Sequence, residues 1–176
     1  LLVLDNFDHL LPETELVPKI LQAAPDLKII ITSRSRLNLQ EEQLYPVGGM
    51  DVPQKVESPE KASQSSAIKL FSQRARLVKR DFVLTDENAK EVIHICTLVE
   101  GMPLAILLAA AWVETISPAQ IEREIKQDID FLETHFRDAP KRHWSIRAVF
   151  DYSWTLMTER EQELFQALSI FRGGFT

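Results

Sequence analysis

One cysteine, Cys96, occurs in the 176 residues. No internal disulfide is available, and the expected setting is a reducing compartment, the cytoplasm. Basic excess is missing too: the net charge is −6, which argues against a large nucleic-acid surface. Long apolar runs are absent. The longest, PLAILLAAAWV at 103–113, is too short to span a bilayer and reads as a buried helix, so no membrane partner is expected. No basic region precedes the apolar start LLVL, so no signal peptide is expected. His94, His135 and His143 lack metal-ligand spacing and a cysteine partner, which speaks against a histidine metal site. There is no internal repeat and no low-complexity segment.

What is there describes an ordinary soluble protein, one domain or two small ones. Apolar residues make up 45% and charged residues 26% of the chain, and the mean hydropathy is −0.11. Three regions differ in texture. In residues 1–49, LLVLD at 1–5 and LKIIIT at 27–32 are short apolar runs. Such runs predict strands buried on both faces of a parallel sheet. Between them, residues 13–24 predict a helix with Leu16, Ile20, Leu21 and Ala24 on one face. The result is a βαβ unit with parallel strands. LYPV at 44–47 reads as an edge strand or the exit from the sheet, and Gly48-Gly49 marks a boundary.

Residues 50–136 read as a helical domain of about four helices. The stretch 51–65, with Pro53, Pro59 and several Ser and Lys residues, reads as a linker. A stripe of Ala67, Leu70, Phe71, Ala75 and Val78 follows, then Thr85-Asp-Glu-Asn as a helix start and a second stripe of Ala89, Val92, Ile93, Cys96 and Val99. Gly101 ends that helix, and Pro103 opens a nearly all-apolar one. Ser117-Pro-Ala-Gln120 reads as a capping box. In residues 137–176 a helix is expected from roughly 143 to 156, and a second capping box, Thr158-Glu-Arg-Glu161, opens a stripe of Leu164, Phe165, Leu168 and Phe171. Two helices have little core of their own, so this piece begins a further domain or packs on the bundle.

The acid Asp5, at the end of the first strand with Asn6 and Asp8 close behind, sits where α/β folds bind ligands. Taken alone, it could equally be a turn residue. Other side chains have simpler readings. His9 is a turn side chain, Cys96 a core residue, and Trp112, Trp144 and Trp154 are packing residues. Arg36 and the cluster Arg74, Arg76, Lys79 and Arg80 form solvated surface. Lys141-Arg142-His143 precedes a helix and could reach a nucleotide or a hinge.

LLVLDNFDHL, IIITSRSRL, EGMPLAILLAA and RHWSIRAVFDYSWTLMTEREQELFQALSIFRGGFT occur in this order. Together they resemble the signal-transduction ATPases of the STAND class, NB-ARC-like, and within it the bacterial predicted ATPases of AfsR/SARP- or LuxR-type transcriptional regulators. The resemblance implies the C-terminal part of a P-loop NTPase α/β domain (1–49), a helical domain (50–136) and the start of a winged-helix domain (137–176). It implies that Asp5 binds Mg²⁺, that Arg34, with Thr32 and Ser33, reads the γ-phosphate, and that Gly101 and Pro103 lie near the adenine. ATP or ADP with Mg²⁺ would be the cofactors of the parent protein. The partners would be the N-terminal phosphate-loop segment and C-terminal domains of the same polypeptide, with homo-oligomers on activation.

Two departures from that pattern matter. No GxxxxGK[ST] occurs in the chain; that loop cradles phosphates with backbone N–H groups and a lysine. Asn6 stands where many members carry a second acid, and an amide can orient a water but cannot take its proton. Asp8 is the candidate substitute. The expectation is a slow, switch-like ATPase in the parent and an inactive isolated fragment. The competing readings are an interaction or scaffold module without nucleotide, and a DNA-binding winged-helix regulator.

Overall fold

The structure is a computed structural model, and it describes residues 1–53, 58–133, 145–155 and 157–169. The chain divides into two compact units, Leu1–Gly48 and Gly49–Thr176.

In the first unit, β1 (Leu2–Leu4) and β2 (Ile29–Ile31) pair in parallel, with Leu2 opposite Ile29, Val3 opposite Ile30 and Leu4 opposite Ile31. A 3-10 helix (Phe7–Glu13) and α1 (Leu16–Ala23) connect them. A helical crossover is what a parallel pair requires. The apolar runs do not lie buried on both faces, however. Leu2, Leu4, Ile29 and Ile31 are half-buried, while Val3 and Ile30 are 58% and 53% exposed. Val3 and Ile30 share one face of the strand pair, and that face is the more open one. On α1 the buried residue is Val17, with Leu16 and Ala24 exposed. The helix is therefore rotated relative to the stripe expected from its sequence. LYPV forms no strand; residues 44–48 are irregular and exposed.

In the second unit the helices are α2 (Pro59–Ala62), α3 (Ser66–Val78), α4 (Ala89–Leu98), α5 (Pro103–Ala111), α6 (Pro118–Gln127), α7 (Ile146–Thr155) and α8 (Glu159–Leu168). Among the described residues their core is built of apolar side chains, with Ile68, Phe71, Ile95, Ile106, Ile121 and Leu132 fully withdrawn from water. Burying each such side chain contributes about 1.5–3 kcal/mol before entropy is counted. Helix α5 packs chiefly on α3, and α4 on α6.

At its described residues, 51–53 and 58–65, the stretch expected to be a linker is fastened down. Ser58 caps α2 by accepting the Lys61 N–H, and Pro59 occupies the first turn. Ala62 and Ser65 are buried. Ser65 Oγ donates to the Asp51 carbonyl at 2.5 Å, and the Asp51 N–H donates to Ser66 Oγ at 3.0 Å. Pro and Ser there serve as capping residues rather than as markers of a loose chain.

Both capping boxes form, Ser117 with Gln120 and Thr158 with Glu161. Helix α7 meets the bundle through Ile146, which packs on the core. An Arg147–Asp130 ion pair at 2.7 Å joins it there. The α8 stripe is less buried than expected: Leu164 and Phe165 are 59% and 45% exposed. Phe165 completes an aromatic cluster with Phe150 and Trp154. Trp144, His135, Phe171 and Lys141-Arg142-His143 lie outside the described residues.

Candidate functional site

The carboxyl ends of β1 and β2 lie side by side because the strands are parallel and in register. That register places the residues following each strand, Asp5 and Thr32, within reach of one another. The Thr32 hydroxyl donates to Asp5 Oδ1 at 2.5 Å and accepts the Asn6 N–H at 2.9 Å. Thr32 also extends the ladder, its N–H donating to the Leu4 carbonyl and its carbonyl accepting the Phe7 N–H. The strand ends are thus held by both main chain and side chain.

Asn6 makes the turn possible. Its φ of 57° and ψ of 54° are left-handed, a conformation that asparagine tolerates better than most residues. The turn redirects the chain from β1 into the 3-10 helix and seats Phe7, which is 2% exposed. The sequence pointed to the Asn6 side chain; the structure shows a role for its backbone. His9 Nδ1 lies 2.8 Å from the Asn6 carbonyl, which makes His9 a turn side chain, as its sequence context suggests.

Asp8 is tied to the loop that follows β2. Its Oδ1 accepts the Arg34 N–H at 2.9 Å and the Ser33 hydroxyl at 3.2 Å. Ser33 Oγ in turn accepts the Ser35 N–H at 3.2 Å. The acid is half-buried, whereas Asp5, Thr32 and Arg34 are exposed. Asp5, Asn6, Asp8, Thr32, Ser33 and the Arg34 backbone therefore form one hydrogen-bonded corner. No signal local to either strand could have revealed the Asp8 bonds, which cross 25 and 26 residues of sequence.

Gly101 and Pro103 belong to the second unit, and that unit accounts for both without a ligand. Helix α4 ends with Glu100 N–H on the Thr97 carbonyl and Gly101 N–H on the Cys96 carbonyl, the Schellman pattern. Its left-handed residue is Glu100, at φ 53°, and Gly101 continues left-handed at φ 67°. The Gly101 carbonyl accepts the Met50 N–H at 2.8 Å. A Cβ on Gly101 would sit 2.2 Å from the Met50 carbonyl oxygen, so only glycine fits there. Pro103 is the first residue of α5, where its missing N–H costs nothing.

Cys96 is fully buried, and burial pushes its thiol up to about 12, so it is a core side chain and not a nucleophile. His94 Nδ1 lies 3.1 Å from Glu122 Oε1. Trp112 stacks on Phe131 with ring centroids 4.6 Å apart.

Asp5 and Thr32 supply oxygen donors only, which is the chemistry that suits Mg²⁺ when waters and phosphate oxygens complete its shell. Among the described residues no group of three or more His, Cys, Asp or Glu could hold a metal unaided. No helix of the described residues is long and apolar enough to cross a membrane.

No protein-family model matches the chain, and no solved structure matches it. Over 99% of its length the chain is 37% identical to "Putative HTH-type transcriptional regulator Rv0890c" of Mycobacterium tuberculosis, of which it covers 19%. The same values hold for "Putative HTH-type transcriptional regulator Mb0914c" of Mycobacterium bovis. It is 32% identical to "Uncharacterized protein Rv0894" of Mycobacterium tuberculosis, covering 42% of it. The chain thus spans about a fifth of the length of the regulators it matches.

Proposed function

We propose that the chain is a control segment of an HTH-type transcriptional regulator, and that its strand-end corner binds a magnesium adenine nucleotide. The names of the relatives support the first part. One observation supports the second: Asp5 and Thr32 meet at the carboxyl ends of adjacent parallel strands, the position where open α/β sheets bind ligands. Asp5 and Thr32 would hold Mg²⁺, whose contribution when bound is to neutralise phosphate charge.

This chain's own residues favour a switch over a fast enzyme. Asn6 cannot accept a proton, and Asp8 Oδ1 is committed to Ser33 and Arg34. A nucleotide moves a conformational equilibrium only by its differential affinity for the two states. In this reading Arg34 supplies the difference by contacting a terminal phosphate, as the STAND resemblance implies.

Titration calorimetry with Mg-ADP and Mg-ATP on the natural full-length polypeptide tests the reading. Binding is expected, and Arg34→Ala should change the ratio of the two affinities by about tenfold, or ~1.4 kcal/mol. No heat from either nucleotide would overturn it and favour an interaction module without nucleotide. For the 176-residue chain by itself, affinity no tighter than about millimolar is expected. DNA binding by the chain itself is the weaker reading, because a net charge of −6 opposes a phosphate backbone.

A further inference from the structure

We infer that Asp8 is a positioning residue, whose carboxylate fixes the backbone of Arg34 and thereby aims the Arg34 guanidinium at a nucleotide phosphate. The inference rests on the nucleotide reading for the object of that aim, but the hold on Arg34 stands on its own geometry. Four hydrogen bonds converge on the corner. Phe7, buried next to Asp8, anchors the start of the 3-10 helix and donates its N–H to the Thr32 carbonyl at 2.9 Å. Asp8 Oδ1 accepts from the Arg34 N–H at 2.9 Å and from Ser33 Oγ at 3.2 Å. Ser33 Oγ accepts the Ser35 N–H at 3.2 Å, so the turn carrying Arg34 is tied both to Asp8 and to itself.

The chemistry separates this role from catalysis. A carboxylate that only accepts hydrogen bonds can be replaced by an amide, whose oxygen accepts the same two protons. One that removes a proton from water cannot. The sequence alone makes Asp8 a candidate for the second role; its bonds assign it the first.

Asp8→Ala and Asp8→Asn, made in the natural full-length polypeptide, test the inference by amide hydrogen exchange and by nucleotide titration. In Asp8→Ala the Arg34 amide should exchange about tenfold faster or more, the loss expected for one charge-assisted hydrogen bond. The Thr32 and Phe7 amides, held by backbone carbonyls, should stay within about twofold of wild type. The Mg-ATP to Mg-ADP affinity ratio should move to about that of Arg34→Ala. Asp8→Asn should keep both the exchange rate and the ratio within about threefold of wild type. Equal acceleration at Arg34, Thr32 and Phe7 would overturn the inference by making Asp8 a general stabiliser. Asp8→Asn behaving as Asp8→Ala would overturn it by making the charge or the base essential. If wild type binds neither nucleotide, the nucleotide reading fails, while the exchange data still decide whether Asp8 holds Arg34.

Discussion

The two units are ordered by different means. Among the described residues of Gly49–Thr176 the fully buried side chains are apolar, from Ile68 and Phe71 to Ile121 and Leu132. In Leu1–Gly48 the buried residues are Phe7 and Val17. The order visible there lies in hydrogen bonds among exposed or half-buried polar groups, Asp5, Asp8, Thr32 and Ser33. A core built by burial tolerates no ligand because it has no room for one. A corner built from polar side chains in water can exchange its partners for a ligand at small cost, since each such bond contributes only about 1 kcal/mol net. This contrast is the physical reason to look for function at the strand ends rather than among the helices.

The contrast breaks most visibly at Phe71. The ring is fully buried on α3 and lies 6.1 Å from the Phe82 ring. Phe71→Ala should destabilise the helical unit by about 3–5 kcal/mol, from lost transfer energy and the cavity left behind. Urea unfolding followed by helical circular dichroism checks this. A loss below about 1 kcal/mol would mean that the helices are not held by their core.

Next in size is Gly101→Ala. Positive φ alone costs a side chain about 1–2 kcal/mol, and here the new Cβ also meets the Met50 carbonyl oxygen at 2.2 Å. The expected loss is about 1–3 kcal/mol, seen as a lower melting temperature. Glu100→Ala should leave the conformational cost unchanged, because Glu100 already carries a Cβ at a left-handed φ of 53°. Glu100→Gly should therefore stabilise slightly, because that residue pays the same conformational cost without the clash.

How much of this was legible depends on the range of the signal. Strand LVL, strand III, the α4 stripe and the boxes at Ser117 and Thr158 are written in residues a few positions apart, and sequence patterns report such contacts. That the two strand ends lie together was legible because a βαβ unit brings consecutive strands together in parallel; the bond between Asp5 and Thr32 was not. The bond from Asp8 to Arg34 was not, since it depends on the left-handed turn at Asn6 and the path of the 3-10 helix. Nor was the tie between Asp51 and the start of α3: Asp51 meets Ser65 and Ser66 only after the chain has folded back. Proline and serine look alike in a linker and in a cap, and tertiary partners decide between them. The open face of Val3 and Ile30 was missed for the opposite reason. An apolar run states what a strand can bury, and burial also requires a covering layer.

The smallest effect sharpens the contrast, because the helical unit has a polar cluster of its own. Glu122 on α6 accepts from Lys126 at 2.5 Å and lies 3.1 Å from His94 on α4. Burial pulls its carboxyl upward, but the hydrogen bonds and charges of Lys126 and His94 outweigh this and hold it below the ordinary glutamate value. A depressed folded value means that the stabilisation is complete above the unfolded value, about 4.3, and drains away as pH falls through the folded one. Glu122→Gln should cost about 0.5 kcal/mol at neutral pH and flatten the acid limb of the stability curve below about pH 4.3, measured by urea unfolding at stepped pH. The Lys126 side chain is 55% exposed, so salt should weaken the pair further. An effect as large as that of Phe71→Ala would show that polar contacts between α4 and α6 hold the bundle alongside its core, and the distinction between the two units would then be one of degree.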